Sequence, residues 1–278
     1  METGLYIVAT PIGNLGDMTS RAVEVLSEVD LIAAEDTRHS RRLLQHFGID
    51  NQLMAYHDHS DPRSQQHIEG VLSQGGSVAL ISDAGTPLIS DPGYRLVRDM
   101  QALGHPVRPI PGASAVVAAL SVCGLPTDSF RFQGFLPAKA GTRMNQLQEL
   151  EGETATLVFY EAPHRIADTL AAMSQAFGAS REAVLAREIT KTFETVRRGS
   201  LEELIAFVAQ DANQQKGEIV LIVAGKPRGE RELDASTARL LRRLVQELPA
   251  KKAAAVVADC TGLRKKELYN YLLSIKGD

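Results

Sequence analysis

Cysteine is scarce in this chain of 278 residues: Cys123 and Cys260 are its only two, in unrelated segments. They have no partner spacing for a metal or redox pair, so the chain reads as a reduced cytoplasmic protein. Long apolar runs are missing too. No uninterrupted stretch approaches the roughly 18 residues of a membrane span, and the run Leu5–Ala9 is far too short for a cleavable leader. There is no low-complexity tract, and 44% apolar with 23% charged residues is the balance of a soluble globular protein. A third absence concerns nucleotides. The opening loop Ala9-Thr10-Pro11-Ile12-Gly13-Asn14-Leu15-Gly16-Asp17 has glycines in G-x-x-G spacing. It lacks both the G-x-G-x-x-G of dinucleotide folds and the Gly-Lys-Ser/Thr of a P-loop, which argues against a GTPase or kinase.

What is present is unevenly charged. Residues 1–225 hold 18 Lys/Arg against 27 Asp/Glu, whereas residues 226–278 hold 12 against 7. A basic tail segment suits a nucleic-acid partner or a solvated helical face. The first hundred residues alternate strand-like runs (Leu5–Ala9, Leu31–Ala34, Gln52–Tyr56, Val78–Ser82, Val107–Ile110) with helical ones (Ser20–Glu28, Arg38–Phe47, Ser64–Ser73, Pro92–Leu103). That rhythm predicts a mainly parallel sheet covered by helices, with ligands outside the carboxyl ends of its strands. An alanine-rich helix, Ala113–Val122, leads to a second series with strands Phe130–Phe135, Thr156–Tyr160, Ala183–Arg187, Phe193–Arg197 and Glu218–Ala224. Its helices are Arg165–Phe177 and Ser200–Gln210. Thr192–Arg198 alternates with no helix before it, so the second sheet is expected to be mixed. The expected division is an α/β domain over 1–117, a second over 118–225, and a linker with basic helices over 226–278. Three helices are expected in the last part, Ala235–Glu247, Ala250–Cys260 and Lys265–Leu273, with a helix-turn-helix joint at Thr261-Gly262-Leu263.

Four loops after strands invite chemistry. They are the opening loop Thr10–Asp17, the stretch Ser82-Asp83-Ala84-Gly85-Thr86-Pro87 running on to Ser90-Asp91-Pro92-Gly93, the stretch Pro109-Ile110-Pro111-Gly112-Ala113-Ser114-Ala115, and Tyr160-Glu161-Ala162-Pro163-His164-Arg165. Small residues let backbone approach a ligand, prolines hold the loops in shape, and helix N-termini offer free N–H groups. The first three contain no lysine or arginine, so they suit a ligand with little phosphate, such as an adenosine with a carboxylate-bearing tail. They also read as tight turns capped by Asp83 and Asp91. Glu35-Asp36-Thr37-Arg38-His39 offers a general base or, equally, an N-cap before a solvated helix bearing Arg38, Arg41 and Arg42. His39 with His57 and His59 is a weak metal candidate with no fixed third ligand, and no metal is expected. Arg187, Lys191, Arg197 and Arg198 form a basic stretch suited to phosphate contact or to a charged sheet edge. Phe159 and Tyr160 suit base stacking or the core.

The segments ATPIGNLGD, EDTRHS, ISDAGTPLISDPGY, IPGASA, FYEAPHR, AREITKTFE and GEIVLIVAG, in that order, resemble the bacterial 16S rRNA 2′-O-ribose methyltransferase I family. That family belongs to the tetrapyrrole-methylase-like (class III) methyltransferases. The resemblance covers roughly residues 3–225, with a looser match over Ala235–Leu273. It implies two α/β domains with S-adenosylmethionine in the cleft between them, a homodimer, and methyl transfer to a cytidine ribose of the small-subunit decoding region. It implies that Pro11, Ile12, Gly13, Asn14, Asp83, Ala84, Gly85, Thr86, Ala113, Ser114 and Ala115 line the cofactor site. Tyr160, Glu161, Ala186, Arg187, Glu188 and the start of Gly217–Leu221 would close it. The class's usual Gly-Asp-Pro stands here as Ser82-Asp83-Ala84-Gly85, with the proline displaced to Pro87.

A ribose 2′-hydroxyl is a weak nucleophile near neutral pH, so a base or a nearby cation should help it. Asp36, Glu35 and Glu161 are the candidate bases, and Lys191 is a candidate cation. Arg38, His39, Arg41, Arg42, His164 and Arg165, with Lys251, Lys252, Arg264, Lys265 and Lys266 of the tail, are candidates for gripping 16S rRNA in the small subunit. The alternatives are a corrinoid or porphyrin C-methyltransferase of the same fold, for which the basic tail has no purpose, and a non-enzymatic RNA-binding module docking through 251–276.

Overall fold

The computed structural model describes residues 1–57, 62–227 and 235–275. Its first layer is built from β1 (Gly4–Val8), α1 (Ser20–Glu28), β2 (Leu31–Ala34), α2 (Thr37–His46), β3 (Leu53–Ala55), α3 (Pro62–Ser73), β4 (Ser77–Ile81), α4 (Tyr94–Ala102) and β5 (Val107–Ile110). The strands form one parallel sheet in the order β3-β2-β4-β1-β5. Alternation sorts their side chains. Tyr6, Val8, Ile32, Ala34, Ala79 and Ile81 pack with Ala22, Val25 and Leu26 of α1 and Leu44 of α2. Leu5, Leu31, Ala33, Val78 and Leu80 pack on the other face with Ile68 and Leu72 of α3 and Leu96 and Met100 of α4. Both faces are therefore apolar, as a helix-covered parallel sheet requires.

The second layer comprises α5 (Ala115–Val122), β6 (Phe130–Phe135), α6 (Ala140–Glu149), β7 (Thr156–Glu161), α7 (Ile166–Phe177), β8 (Glu182–Arg187), β9 (Thr195–Ser200), α8 (Leu201–Gln210) and β10 (Ile219–Val223). Its order is β6-β7-β10-β8-β9, with only the β6–β7 pair parallel, so the sheet is mixed. Phe159, Leu185 and Leu221 face α6, α7 and α8. Val158, Val184, Ala186, Val220 and Ile222 face Val116, Ala119 and Leu120 of α5.

Several sequence-based expectations need correction. The boundary expected between residues 117 and 118 falls inside α5, and that helix packs on the second sheet, so the two layers divide before Ala115. No element was expected over 136–155, where α6 lies. Its apolar pattern is thin, and its buried residues are Arg143 and Leu147. β9 starts at Thr195, because Arg187 ties the preceding segment down by donating to the Phe193 carbonyl and the Thr195 hydroxyl. Neither Asp83 nor Asp91 is a helix cap. Asp83 accepts from the Asp36 N–H (3.1 Å), and α4 begins after Gly93 at φ +129° without a side-chain cap. Phe159 is fully buried in the core, away from any base.

The compact body Met1–Gly225 is followed by a separate unit from Lys226 onward. There α9 (Ala235–Glu247), α10 (Ala250–Thr261) and α11 (Lys265–Ser274) enclose Leu241, Ala253, Ala254, Val257, Leu263, Leu268 and Leu272. Gly262, at φ +70°, ends α10 with its N–H on the Ala258 carbonyl, a left-handed stop that favours glycine. Lys251, Lys252, Arg264, Lys265 and Lys266 are all exposed.

Candidate active site

Three loops at the carboxyl ends of β1, β4 and β5 are stitched together by backbone. Thr10 and Gly85 exchange two hydrogen bonds (2.9 and 3.0 Å), and the Thr10 hydroxyl donates to the Ser82 carbonyl (3.2 Å). The Thr86 hydroxyl donates to the Ala113 carbonyl (3.0 Å), tying in the third loop. Gly85 sits at φ +83°, and a Cβ there would press on Ile12 at 3.3 Å, so both its conformation and its neighbours call for glycine. Within the opening loop, Asn14 accepts from the Gly16 N–H (2.9 Å) and caps the short turn Leu15–Asp17.

Among the described residues, four non-glycine residues have positive φ: Leu88, Ser90, Glu188 and Thr190. They fall in two loops, one after β4 and one after β8. Strain of this kind persists where the surroundings over-determine the backbone, which is common at working sites.

A cavity of about 460 Å³ lies between these loops and the second sheet. Its walls are Ile12, Asp83–Thr86, Ile89–Asp91, Ser114 and Ala115 on one side, and Phe135, Tyr160–Pro163, Ala186, Ile189 and Glu218–Val220 on the other, with Glu35 between them. Among the described residues no lysine or arginine lines it, while five carboxylates do: Glu35, Asp83, Asp91, Glu161 and Glu218. Burial, then the charges of Asp91 and Asp83, push the Glu35 carboxyl up from its ordinary value. Burial likewise raises Asp91, opposed by a hydrogen bond to Ser82 and assisted by Asp83. Tyr160 packs edge-on to Phe132 (5.0 Å) and tilted against Phe135 (5.5 Å). Burial and the Asp91 charge push its phenol up to about 12, so it stays protonated.

A second cavity of about 490 Å³ adjoins the first, sharing Ile12, Asp83, Ala84 and Glu218. Its other walls are Pro11, Gly13, Leu15, His39, Arg42, Leu43 and Lys191, so it carries the basic groups that the first lacks. Lys191 donates to Glu188 and Glu218, both at 2.8 Å, and lies across Gly13, where any Cβ would run into its side chain. Burial opposes its charge, but the two carboxylates outweigh that and raise its pKa, so it is an ammonium at neutral pH.

The residues singled out in the sequence divide accordingly. Ile12, Asp83, Ala84, Gly85, Thr86, Ser114, Ala115, Tyr160, Glu161, Ala186 and Glu35 meet in the first cavity. Pro11, Gly13, His39, Arg42 and Lys191 meet in the second. Others serve the fold. Asp36 caps α2, accepting from the Arg38 and His39 N–H groups, which lower its pKa. Arg187 is buried on Gln214, Lys216, Phe193 and Thr195. Glu188 braces Lys191 and accepts from the Glu218 N–H (2.9 Å). The Ala113 carbonyl anchors Thr86, Asn14 caps its turn, and Arg165 donates to the Leu136 and Pro137 carbonyls (2.7 and 3.1 Å). Glu161 is a wall and a brace at once: it accepts from Ala162 N–H (2.8 Å) and Thr169 hydroxyl (2.5 Å), with Arg165 3.4 Å away. Arg38, Arg41 and His164 are exposed outside both cavities. His59 lies outside the described residues, and among those described no three His, Cys, Asp or Glu groups come together to hold a metal. Sequence reasoning missed Phe135, Ile89, Ile189 and the placement of Asp91. For Phe135, an apolar side chain at the end of a strand was the available signal.

The family described as Tetrapyrrole (Corrin/Porphyrin) Methylases matches residues 4–205, and one described as RsmI C-terminal HTH domain matches 231–276. The chain is 56% identical over 275 residues to a protein of Pseudomonas aeruginosa named Ribosomal RNA small subunit methyltransferase I, covering 98% of each chain. It is 52% identical over 273 residues to the like-named protein of Escherichia coli O157:H7, covering 98% of this chain and 96% of that one. Among solved structures it resembles a uroporphyrin-III-C-methyltransferase of Thermus thermophilus (TM-score 0.52, 19% identity, 81% of this chain and 93% of the other). It also resembles a diphthine synthase (TM-score 0.58, 16% identity, 79% and 89%). At these identities the structural likeness speaks for the fold alone.

Proposed function

Because the chain belongs to the ribosomal RNA small subunit methyltransferase I family, we propose that it transfers a methyl group from S-adenosylmethionine to the ribose 2′-hydroxyl of a cytidine in the decoding region of 16S rRNA. The observation that carries this reading is the pair of adjoining cavities, one walled by carboxylates and the other by His39, Arg42 and Lys191.

The first cavity fits the cofactor by its donor set. Its volume lies in the range of about 300–1,000 Å³ usual for small-molecule sites. It offers small residues, backbone at 84–86, the N-terminus of α5 at Ser114 and Ala115, and apolar walls at Ile12, Ile89 and Ile189. Its carboxylates complement a cationic ligand, and its want of lysine or arginine rules against a phosphorylated one. S-adenosylmethionine, when bound, supplies an electrophilic methyl group on a sulfonium.

The wall shared by the two cavities supports a reading of the chemistry. A ribose entering from the second cavity reaches Asp83, Glu218 and Lys191, all of them walls of that cavity. The ammonium of Lys191 stabilises negative charge developing on the hydroxyl oxygen, since it is charged and already aimed by two carboxylates. Asp36, held as a cap below its ordinary value, is a poor base, and Glu161 has each oxygen engaged, by the Ala162 N–H and the Thr169 hydroxyl. Glu35 is the better proton acceptor, because its raised pKa brings it closer to neutrality. Arg42 and His39 hold the phosphate backbone as the ribose settles.

The test is methylation of unmodified small ribosomal subunits with labelled cofactor, followed by nucleoside mass spectrometry. The expected product is 2′-O-methylcytidine, reduced about 100-fold or more for Lys191→Ala. A base-methylated nucleoside, or a normal rate in that variant, would overturn the assignment.

A further inference from the structure

We propose that the start of α6, with Lys139 and Arg143, is a phosphodiester site that grips the RNA strand beside the cavity, an inference that rests on the ribosomal RNA reading above. Arg143 is 6% exposed, and its guanidinium is charged at any accessible pH. Its one hydrogen bond among the described residues is a long one, 3.5 Å, from Nη1 to the Ala138 carbonyl, and its Nε is buried without a partner. No carboxylate pairs with it among the described residues. A buried cation without a counter-charge is costly, and an anionic ligand removes that cost.

The surroundings say where the anion sits. Helical side chains lean towards the N-terminus of their helix, and the contact with Ala138 shows Arg143 doing so. The start of α6 has no side-chain cap, with exposed Lys139 as its N-cap residue, so first-turn N–H groups face the same place. A Cβ added at Gly141 would meet nothing within 4 Å, which leaves the approach open. Arg165 is already committed to the fold: it donates to the carbonyls of Leu136 and Pro137, and its Nε lies 3.4 Å from the Glu161 carboxylate. Phe135, four residues before Lys139 and next to Leu136, lines the cofactor cavity, so a phosphate here belongs to the strand that delivers the ribose. A guanidinium fork, a point ammonium and free backbone N–H groups together match a tetrahedral anion with several acceptors better than a planar carboxylate.

The experiment is binding of a labelled single-stranded RNA, followed by anisotropy across a salt series, for the full chain and for Lys139→Ala and Arg143→Gln. Each variant should bind about five- to tenfold more weakly near 0.1 M salt, with the log–log salt slope reduced by about one. Affinity for S-adenosylmethionine, read by calorimetry, should not change. Lys139 is exposed, so Lys139→Ala remains informative should Arg143→Gln fail to fold. Unchanged RNA affinity and slope in Lys139→Ala would overturn the site. Failure of the functional reading has a separate signature, wild-type protein that leaves small subunits unmethylated.

Discussion

At the residue scale, burial sets two cavity carboxylates against stability. Asp91 and Glu35 both have raised pKa values, chiefly from burial, and each lies in the field of Asp83. A carboxyl with a raised folded pKa costs stability at pH values above that raised range. The cost disappears once the pH falls below its unfolded value. Asp91→Asn should therefore raise the melting temperature of the ligand-free protein by about one to three degrees at pH 7.5. The advantage should shrink as the pH is lowered through the raised pKa and vanish near pH 3.5, below the value of an ordinary aspartate. Differential scanning fluorimetry across pH reads this directly. The same variant should bind the sulfonium cofactor about tenfold more weakly, because a full negative charge is lost from the wall. A variant no more stable than wild type at pH 7.5 would remove Asp91 from this role.

At the element scale, the site exists because three loops after parallel strands share hydrogen bonds. Gly85 is the keystone: it takes part in the Thr10 bridge, holds φ +83°, and lies close to Ile12. Gly85→Ala should destabilise the fold by about 1–3 kcal/mol and weaken cofactor binding several-fold, measured by chemical denaturation and calorimetry. Much of this scale was legible in the sequence. Strand–helix rhythm placed β1, β2, β4 and β5 and the loops that follow them, because apolar runs ending in Gly- and Pro-rich segments report buried strands and turns directly. What stayed hidden lacked such a signal. α6 buries an arginine and a leucine on an otherwise polar surface, so its period is faint. Asp36 offered base and cap alike, and its backbone bonds to Arg38 and His39 decide for the cap. Arg187 read as a surface cation, yet two carbonyls and two side chains take it inside. Competition between a side chain's local bonds and its chemistry leaves no trace in residue type.

At the scale of the whole molecule, charge is partitioned. The body up to Gly225 is acidic, its carboxylate-walled cavity most of all, while the last 53 residues are basic and present exposed lysines on α10 and α11. Within the body the same contrast recurs between the two cavities, with Lys191 and Glu218 at their joint. The central claim is that the carboxylate-walled cavity takes the cofactor and the basic one takes the RNA. Calorimetric titration with S-adenosylmethionine tests it in one series: wild type, Ser114→Trp in the first cavity, and Arg42→Ala in the second. One cofactor per chain should bind to wild type and to Arg42→Ala with equal affinity, and binding to Ser114→Trp should be lost. Cofactor binding that survives Ser114→Trp but fails in Arg42→Ala would contradict the account.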